Sequence, residues 1–212
     1  MPFKIVLPLF LLPLMLQAQF GYEDWSILEL QETIWVEGID DTRTVWTTSF
    51  GRDDFGVWSR VDLSSDRNWR TVTNAEDGTF ASCNGYGAGR MEPSDDWLVS
   101  PIIITRPSSR VIFELETKKD FDGPDLQIWV IKAKISPEET AGEASIFDLT
   151  PQASLPANRE SWRASGELEV PAEIRAQGPF RIGIRYVSNG GRTGDAARWG
   201  VRSLKVTSIA RD

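Results

Sequence analysis

VIFELET, residues 111–117, alternates strictly: Val111, Phe113 and Leu115 share one parity, while Ile112, Glu114 and Glu116 share the other. Successive side chains of a strand point to opposite faces, so this pattern predicts a strand with one buried and one wet face, as antiparallel sheets have. FRIGIRYV at 180–187 repeats it, with Phe180, Ile182, Ile184 and Tyr186 set against Arg181, Gly183 and Arg185. LQIWVIKAKI at 126–135 is apolar on both faces through its middle, which suits a central strand covered on each side. Helical periodicity is scarce. Clusters of turn-forming residues separate the strands: SSDRN at 64–68, CNGYGAG at 83–89, FDGPD at 121–125 and SNGGRTGD at 188–195. In the last strand Trp199 and Val201 share one parity, and Leu204 and Val206 the other. One extra residue must be absorbed near Arg202 and Ser203, and a β-bulge does this at least cost. The chain reads as one all-β antiparallel sandwich over residues 45–210, with 19–44 adding an edge strand or a strap. The stretch from Ser136 to Glu160 is expected to cross between the sheets or over one end, with a short strand at 146–149.

The N-terminus, MPFKIVLPLFLLPLMLQAQ, has a single cation at Lys4 and then an apolar run from Ile5 to Leu16 broken only by Pro8 and Pro13. That run is too short to span a bilayer. Ala18 with Leu16 before it suits a signal-peptidase site, and no acidic residue precedes Glu23. Residues 1–18 therefore read as a cleaved signal peptide, which directs the chain to the periplasm or the cell exterior. Cys83, the single cysteine, can make no internal disulfide and lies too far from the cleavage position to carry a lipid there. A small buried side chain is its ordinary role.

Lys and Arg total 23 against 31 Asp and Glu, a formal charge of −8. An acidic surface repels phosphate backbones and anionic lipid heads, which argues against nucleic acid or a membrane as the main partner. The chain has no histidine. That removes Ser-His-Asp and Cys-His nucleophile systems, His general bases and most zinc sites together. Catalysis would have to rest on carboxylates, Lys or Tyr. Glu114 and Glu116 come nearest to a glycosidase pair, but their spacing puts them side by side on one strand face, where a solvated charged surface is the ordinary outcome.

Six segments taken in order resemble a known family: VWSRVDLSSDRNWR at 57–70, DDWLVSP at 95–101, VIFELETKKDFDGPDLQIWV at 111–130, SWRASGELEV at 161–170, FRIGIRYVSNGG at 180–191 and RWGVRSLKVT at 198–207. This order is similar to the choice-of-anchor J, or cleaved-adhesin, modules of secreted bacterial proteins, over residues 50–208. The resemblance implies a calcium-associated jelly-roll β-sandwich, like galactose-binding and carbohydrate-binding modules, used for adhesion or for binding glycan or protein outside the cell. Two positions depart from the family pattern. Phe50-Gly51 stands where the family has Phe-Glu, and Arg202-Ser203 where it has Asp-Asn. Each departure removes a carboxylate, and a Ca²⁺ ion takes about six to eight oxygens.

The candidate metal ligands are Asp62 and Asp66 in VDLSSD, and Asp122 and Asp125, which flank Gly123-Pro124. Turn capping through Asx hydrogen bonds is the competing role for all four. Nine tryptophans make sugar stacking a natural expectation. Trp69 and Trp97 lie within family-like blocks and are expected to pack the core or plug its ends. Trp129 is the first candidate for ligand contact, because the resemblance aligns Leu126, Ile128 and Val130 with the core. Trp199, after a Gly-rich loop, and Asn189, within it, are the others. The function expected is a non-catalytic extracellular binding module. The alternatives are a structural subunit of an envelope or surface assembly and a carboxylate-based glycan-cleaving enzyme.

Overall fold

The alternation read from the sequence becomes two curled sheets facing each other across one apolar layer. The computed structural model describes residues 33–35, 43–52, 55–63, 68–87, 90–133, 149–155, 161–190 and 196–210. The first eight strands are β1 (Thr33–Trp35), β2 (Arg43–Ser49), β3 (Ser59–Asp62), β4 (Arg70–Asn74), β5 (Gly78–Asn84), β6 (Tyr86–Gly87), β7 (Arg90–Met91) and β8 (Pro93–Val99). The rest are β9 (Ile102–Ile104), β10 (Arg110–Lys119), β11 (Leu126–Lys132), β12 (Leu149–Leu155), β13 (Arg163–Ala164), β14 (Leu168–Glu169), β15 (Phe180–Asn189) and β16 (Arg198–Ile209). One short helix, α1 (Ala172–Ala176), precedes β15.

Sheet A runs β1-β9-β15-β11-β12, with β8 on β15 and β3 on β8. Sheet B runs β13-β10-β16-β5-β4, with β14 also on β10 and β2 on β16. The pairings are antiparallel except one: β1 lies parallel to β9, a departure from the all-antiparallel expectation. Within 19–44 the described part is β1 and the start of β2, and residues 1–18 lie outside the described residues. The short strand expected at 146–149 meets β12 only at Leu149, and 146–148 lie outside the described residues. β12 ends the sheet A path, and an outer strand is where a proline such as Pro151 is tolerated, since it cannot donate to a ladder.

The inward parity of each long strand meets in one cluster. Val111, Phe113 and Leu115 of β10 and Trp199, Val201, Leu204 and Val206 of β16 face Leu126, Ile128 and Val130 of β11 and Phe180, Ile182, Ile184 and Tyr186 of β15. The parity change in β16 is absorbed as expected. Glu116 pairs with Ser203 and Thr117 with Val201, so Arg202 is the extra, unpaired residue. The bulge keeps both apolar halves of β16 pointing inward and sets Arg202 beside Glu116, whose carboxylate takes the Arg202 Nε hydrogen bond at 2.8 Å and a second one from Nη2.

Candidate functional site

The structure scatters the residues singled out for ligand contact. Trp199 is 1% exposed and belongs to the core. Its Nε1–H donates to the Pro124 carbonyl at 2.9 Å, and the Lys119 ammonium sits 5.1 Å from its ring. It closes one end of the sandwich and offers no face to a ligand, which corrects its place among the ligand-contact candidates. Trp129 is half-buried outside the main core, its ring 5.8 Å from that of Trp97 in a second cluster with Val61, Val99 and Ile131. Of the two tryptophans expected to pack the core or plug its ends, Trp69 joins the main core, whereas Trp97 packs in this cluster on the outer side of sheet A. Asn189 is exposed at the end of β15, opposite Pro93. These three residues form no common site.

The aspartates are also dispersed. The turn holding Asp122 and Asp125 embraces an ammonium of this chain: Lys119 Nζ donates to Gly123 O at 2.6 Å and to Asp125 at 3.1 Å. Lys119, with a side chain 2% exposed, is a buried cation that these oxygens keep solvated. Asp62 lies in sheet A, directly across from Asp96. Asp66 lies outside the described residues. Among the described residues no group of three or more Asp, Glu, Cys or His is placed to hold a metal ion. The described residues do not by themselves assemble the calcium site that the family resemblance implies. Accordingly, the melting temperature in millimolar calcium is expected to match that in chelator to within about a degree. A rise of many degrees, abolished in Asp66→Ala, would place a site at residues 64–67 after all.

Adjacent in a strand, Asp95 and Asp96 must face opposite ways, and the structure shows Asp96 to be the buried one. It is fully buried on the core side of β8, where Cys83 Sγ–H donates to Oδ2 at 3.5 Å while Oδ1 has no partner. Burial first, and the neighbouring Asp62 second, push its carboxyl up to about 7. Burial and then Asp96 drive the Cys83 thiol well above its usual value, which leaves an inert thiol rather than a nucleophile. Period two held the signal: Leu98 is core, so Asp96 must share its side.

Sheet B presents a different surface on its outer side. Register places Arg70, Ser82, Gly200 and Lys118 in one row across β4, β5, β16 and β10, with Asn84 and Arg198 in the row on one side and Val72 and Phe80 on the other. Gly200 forms the low floor: a Cβ there would meet Trp162 at 2.9 Å and Phe80 at 3.1 Å. Trp162 stands over this floor, edge to face with Phe80 at 5.1 Å and 4.8 Å from the Arg202 guanidinium. Its Nε1–H donates to Asp77 Oδ1 at 2.6 Å. Lys118, at 3.1 Å, and Asn74, at 3.2 Å, also hold Asp77. Burial raises the Asp77 pKa, but the hydrogen bonds from Trp162, Asn74 and Lys118 outweigh it and leave the carboxyl below its usual value.

Two adjoining hollows on this face share Val72, Ser82 and Arg198 and form one shallow groove. Asp77, Phe80, Lys118, Asp120 and Gly200 lie at one end, and Asn68, Arg70, Asn84 and Tyr86 at the other. Tyr86 is 49% exposed, and Phe121, 57% exposed, has its ring 5.3 Å from the Arg198 guanidinium. Glu114 and Glu116, the carboxylates weighed for glycan cleavage, lie further along β10. Each is ion-paired, Glu116 with Arg202 and Glu114 with Lys205 at 3.7 Å, so both are part of a charged surface.

No family model matches the chain, and no curated protein matches it. Solved structures do. The K1 cleaved adhesin domain of Lys-gingipain from Porphyromonas gingivalis W83 matches with a TM-score of 0.54 at 14% identity, covering 80% of this chain and 99% of that one. The fold is that of a cleaved-adhesin β-sandwich. The K2 cleaved adhesin domain of Lys-gingipain agrees, with a TM-score of 0.50 at 11% identity, covering 76% of this chain and 97% of the other. At these identities the likeness is one of fold, so the residues of the groove carry any statement about ligands.

Proposed function

We propose that this protein is an exported, non-catalytic binding module of the choice-of-anchor J type, and that it takes a glycan along the outer groove of sheet B. The observation that carries the reading is the contrast between the two outer faces. On sheet A, Trp97, Val99 and Ile131 are covered. On sheet B, Val72 and Tyr86 line an open groove and Phe121 stands beside it, so three of the four large apolar side chains exposed among the described residues gather at one place. Rings spaced along a groove with hydrogen-bonding groups between them match the alternating C–H faces and hydroxyls of sugars. The absence of histidine and the ion-paired state of Glu114 and Glu116 favour binding over cleavage. The similar structures are, by their names, adhesin domains, and the N-terminal 1–18 segment reads as an export signal.

The test is a glycan array followed by titration. Gly200→Val drives a side chain into the groove floor against Trp162 and is expected to weaken binding roughly tenfold, the equivalent of about 1.4 kcal/mol, while the protein stays folded. Tyr86→Ala, on an exposed ring, is expected to act in the same direction. Silence across the array, with a protein partner co-purifying from envelope extracts, would favour a structural subunit instead. Turnover of a polysaccharide, lost in Glu116→Gln, would favour the enzyme.

A further inference from the structure

Hydrogen-bonding capacity divides the groove into two unlike ends. Resting on the reading of this face as the ligand face, we infer that the ligand is an acidic glycan, whose carboxylate or sulfate ester is held at the end formed by Asn68, Arg70, Asn84, Tyr86 and Arg198. On a chain of formal charge −8, the lining of this end contains no carboxylate. Arg70 projects beside Ser82 from β4 and makes no ion pair among the described residues. Arg198 sits where the two ends meet: Nε donates to Asp120, which lines the other end, at 2.5 Å, and the guanidinium rests near Phe121, which leaves its two terminal nitrogens without a bond among the described residues.

The two amides are oriented by the backbone. Asn68 Oδ1 accepts from Trp69 N at 2.8 Å, and Asn84 Oδ1 accepts from Tyr86 N at 2.9 Å. Each oxygen has one lone pair taken by the backbone, and each amide of the groove lining keeps its NH₂ as a donor. Two guanidinium and two amide groups then supply many donors, against few acceptors: the hydroxyls of Ser82 and Tyr86 and the second lone pair of each amide oxygen. A sugar hydroxyl needs a partner for its own proton, whereas a carboxylate or sulfate oxygen only accepts, and its hydrogen bonds to charged donors are the stronger kind. At the other end Lys118 is paired with Asp77 at 3.1 Å and Asp120 with Arg198, so that end suits the uncharged body of a sugar over Gly200 and Phe80.

The test is an array in which each acidic glycan stands beside its neutral twin, with trigalacturonate against its methyl ester and 3′-sulfolactose against lactose as titrated probes. At least one acidic member is expected to bind roughly tenfold or more tightly than its twin, the scale of one charged hydrogen bond. Which pair shows the gap decides between carboxylate and sulfate. Arg70→Gln is expected to erase the gap and Arg70→Lys to keep part of it, while Lys132→Gln, an exposed cation on sheet A, leaves it intact. Equal binding of the twins, or an equal loss in Lys132→Gln, overturns the acidic-glycan inference. If neutral glycans still bind and Gly200→Val weakens them, the ligand face stands without its anion. An array with no bound glycan of either kind overturns both.

Discussion

Trp199→Ala is expected to lower unfolding stability by about 3–5 kcal/mol, measured by urea denaturation, a large share of the roughly 5–15 kcal/mol that a domain has in total. The ring is buried with Phe113, Leu115, Val201 and Tyr186 in the main core. Deletion empties a volume that neighbours on two sheets cannot fill, and it also leaves the Pro124 carbonyl without its donor. It further takes the ring away from the Lys119 ammonium. Trp199→Phe keeps most of the apolar contact and loses the hydrogen bond, so its cost is expected to be nearer 1–2 kcal/mol. A loss under about 1 kcal/mol in the alanine variant would contradict the buried placement and reopen the ligand-contact reading.

The second large effect is on pH. Asp96 has an ordinary value of 3.8, and the fold moves it to about 7. Between those values the native chain keeps a proton that the unfolded chain has given up. The native state thus binds more protons, and stability must fall as pH rises through this window. The gap corresponds to on the order of 4 kcal/mol, present in full below about pH 4 and lost by the time pH passes about 7. Carboxylates held below their usual values, such as Asp77, act in the opposite sense at lower pH, so comparison with Asp96→Asn isolates the effect. Urea midpoints at pH 5 and pH 8 are expected to separate in the parent protein and to converge in the variant. Equal separations in both would show that Asp96 is not the group responsible.

The strands and the bulge were legible because each follows from counting. Period two names the inner face of β10 and β15, and a change of parity between Val201 and Leu204 demands an extra residue wherever the chain is to keep both halves inside. Trp199 was legible too, since it shares parity with Val201, although the glycine-rich loop before it kept a ligand-contact reading open beside the buried one. The groove was not legible. β4 is a short polar strand whose alternation distinguishes little, and Arg70 meets Arg198 only through the register of β4 on β5 and of β5 on β16. Two pairings distant in sequence set that meeting, and local pattern carries neither. The 121–125 turn misled for a related reason: its oxygens do gather around a positive charge, but the charge is Lys119 of the preceding strand.

The bulge at Arg202 also determines how β16 responds to changes in length. Ahead of it the strand pairs with β5, and beyond it with β2, while β10 runs along both halves. Loss of one residue at this point would throw the two halves out of phase. Either Trp199 and Val201 or Leu204 and Val206 would then be turned to solvent, because a slip of one residue moves every side chain to the opposite face. Loss of two residues would preserve the phase and cost only length. β16 is in effect written in two reading frames, and Arg202 is the single inserted residue that joins them.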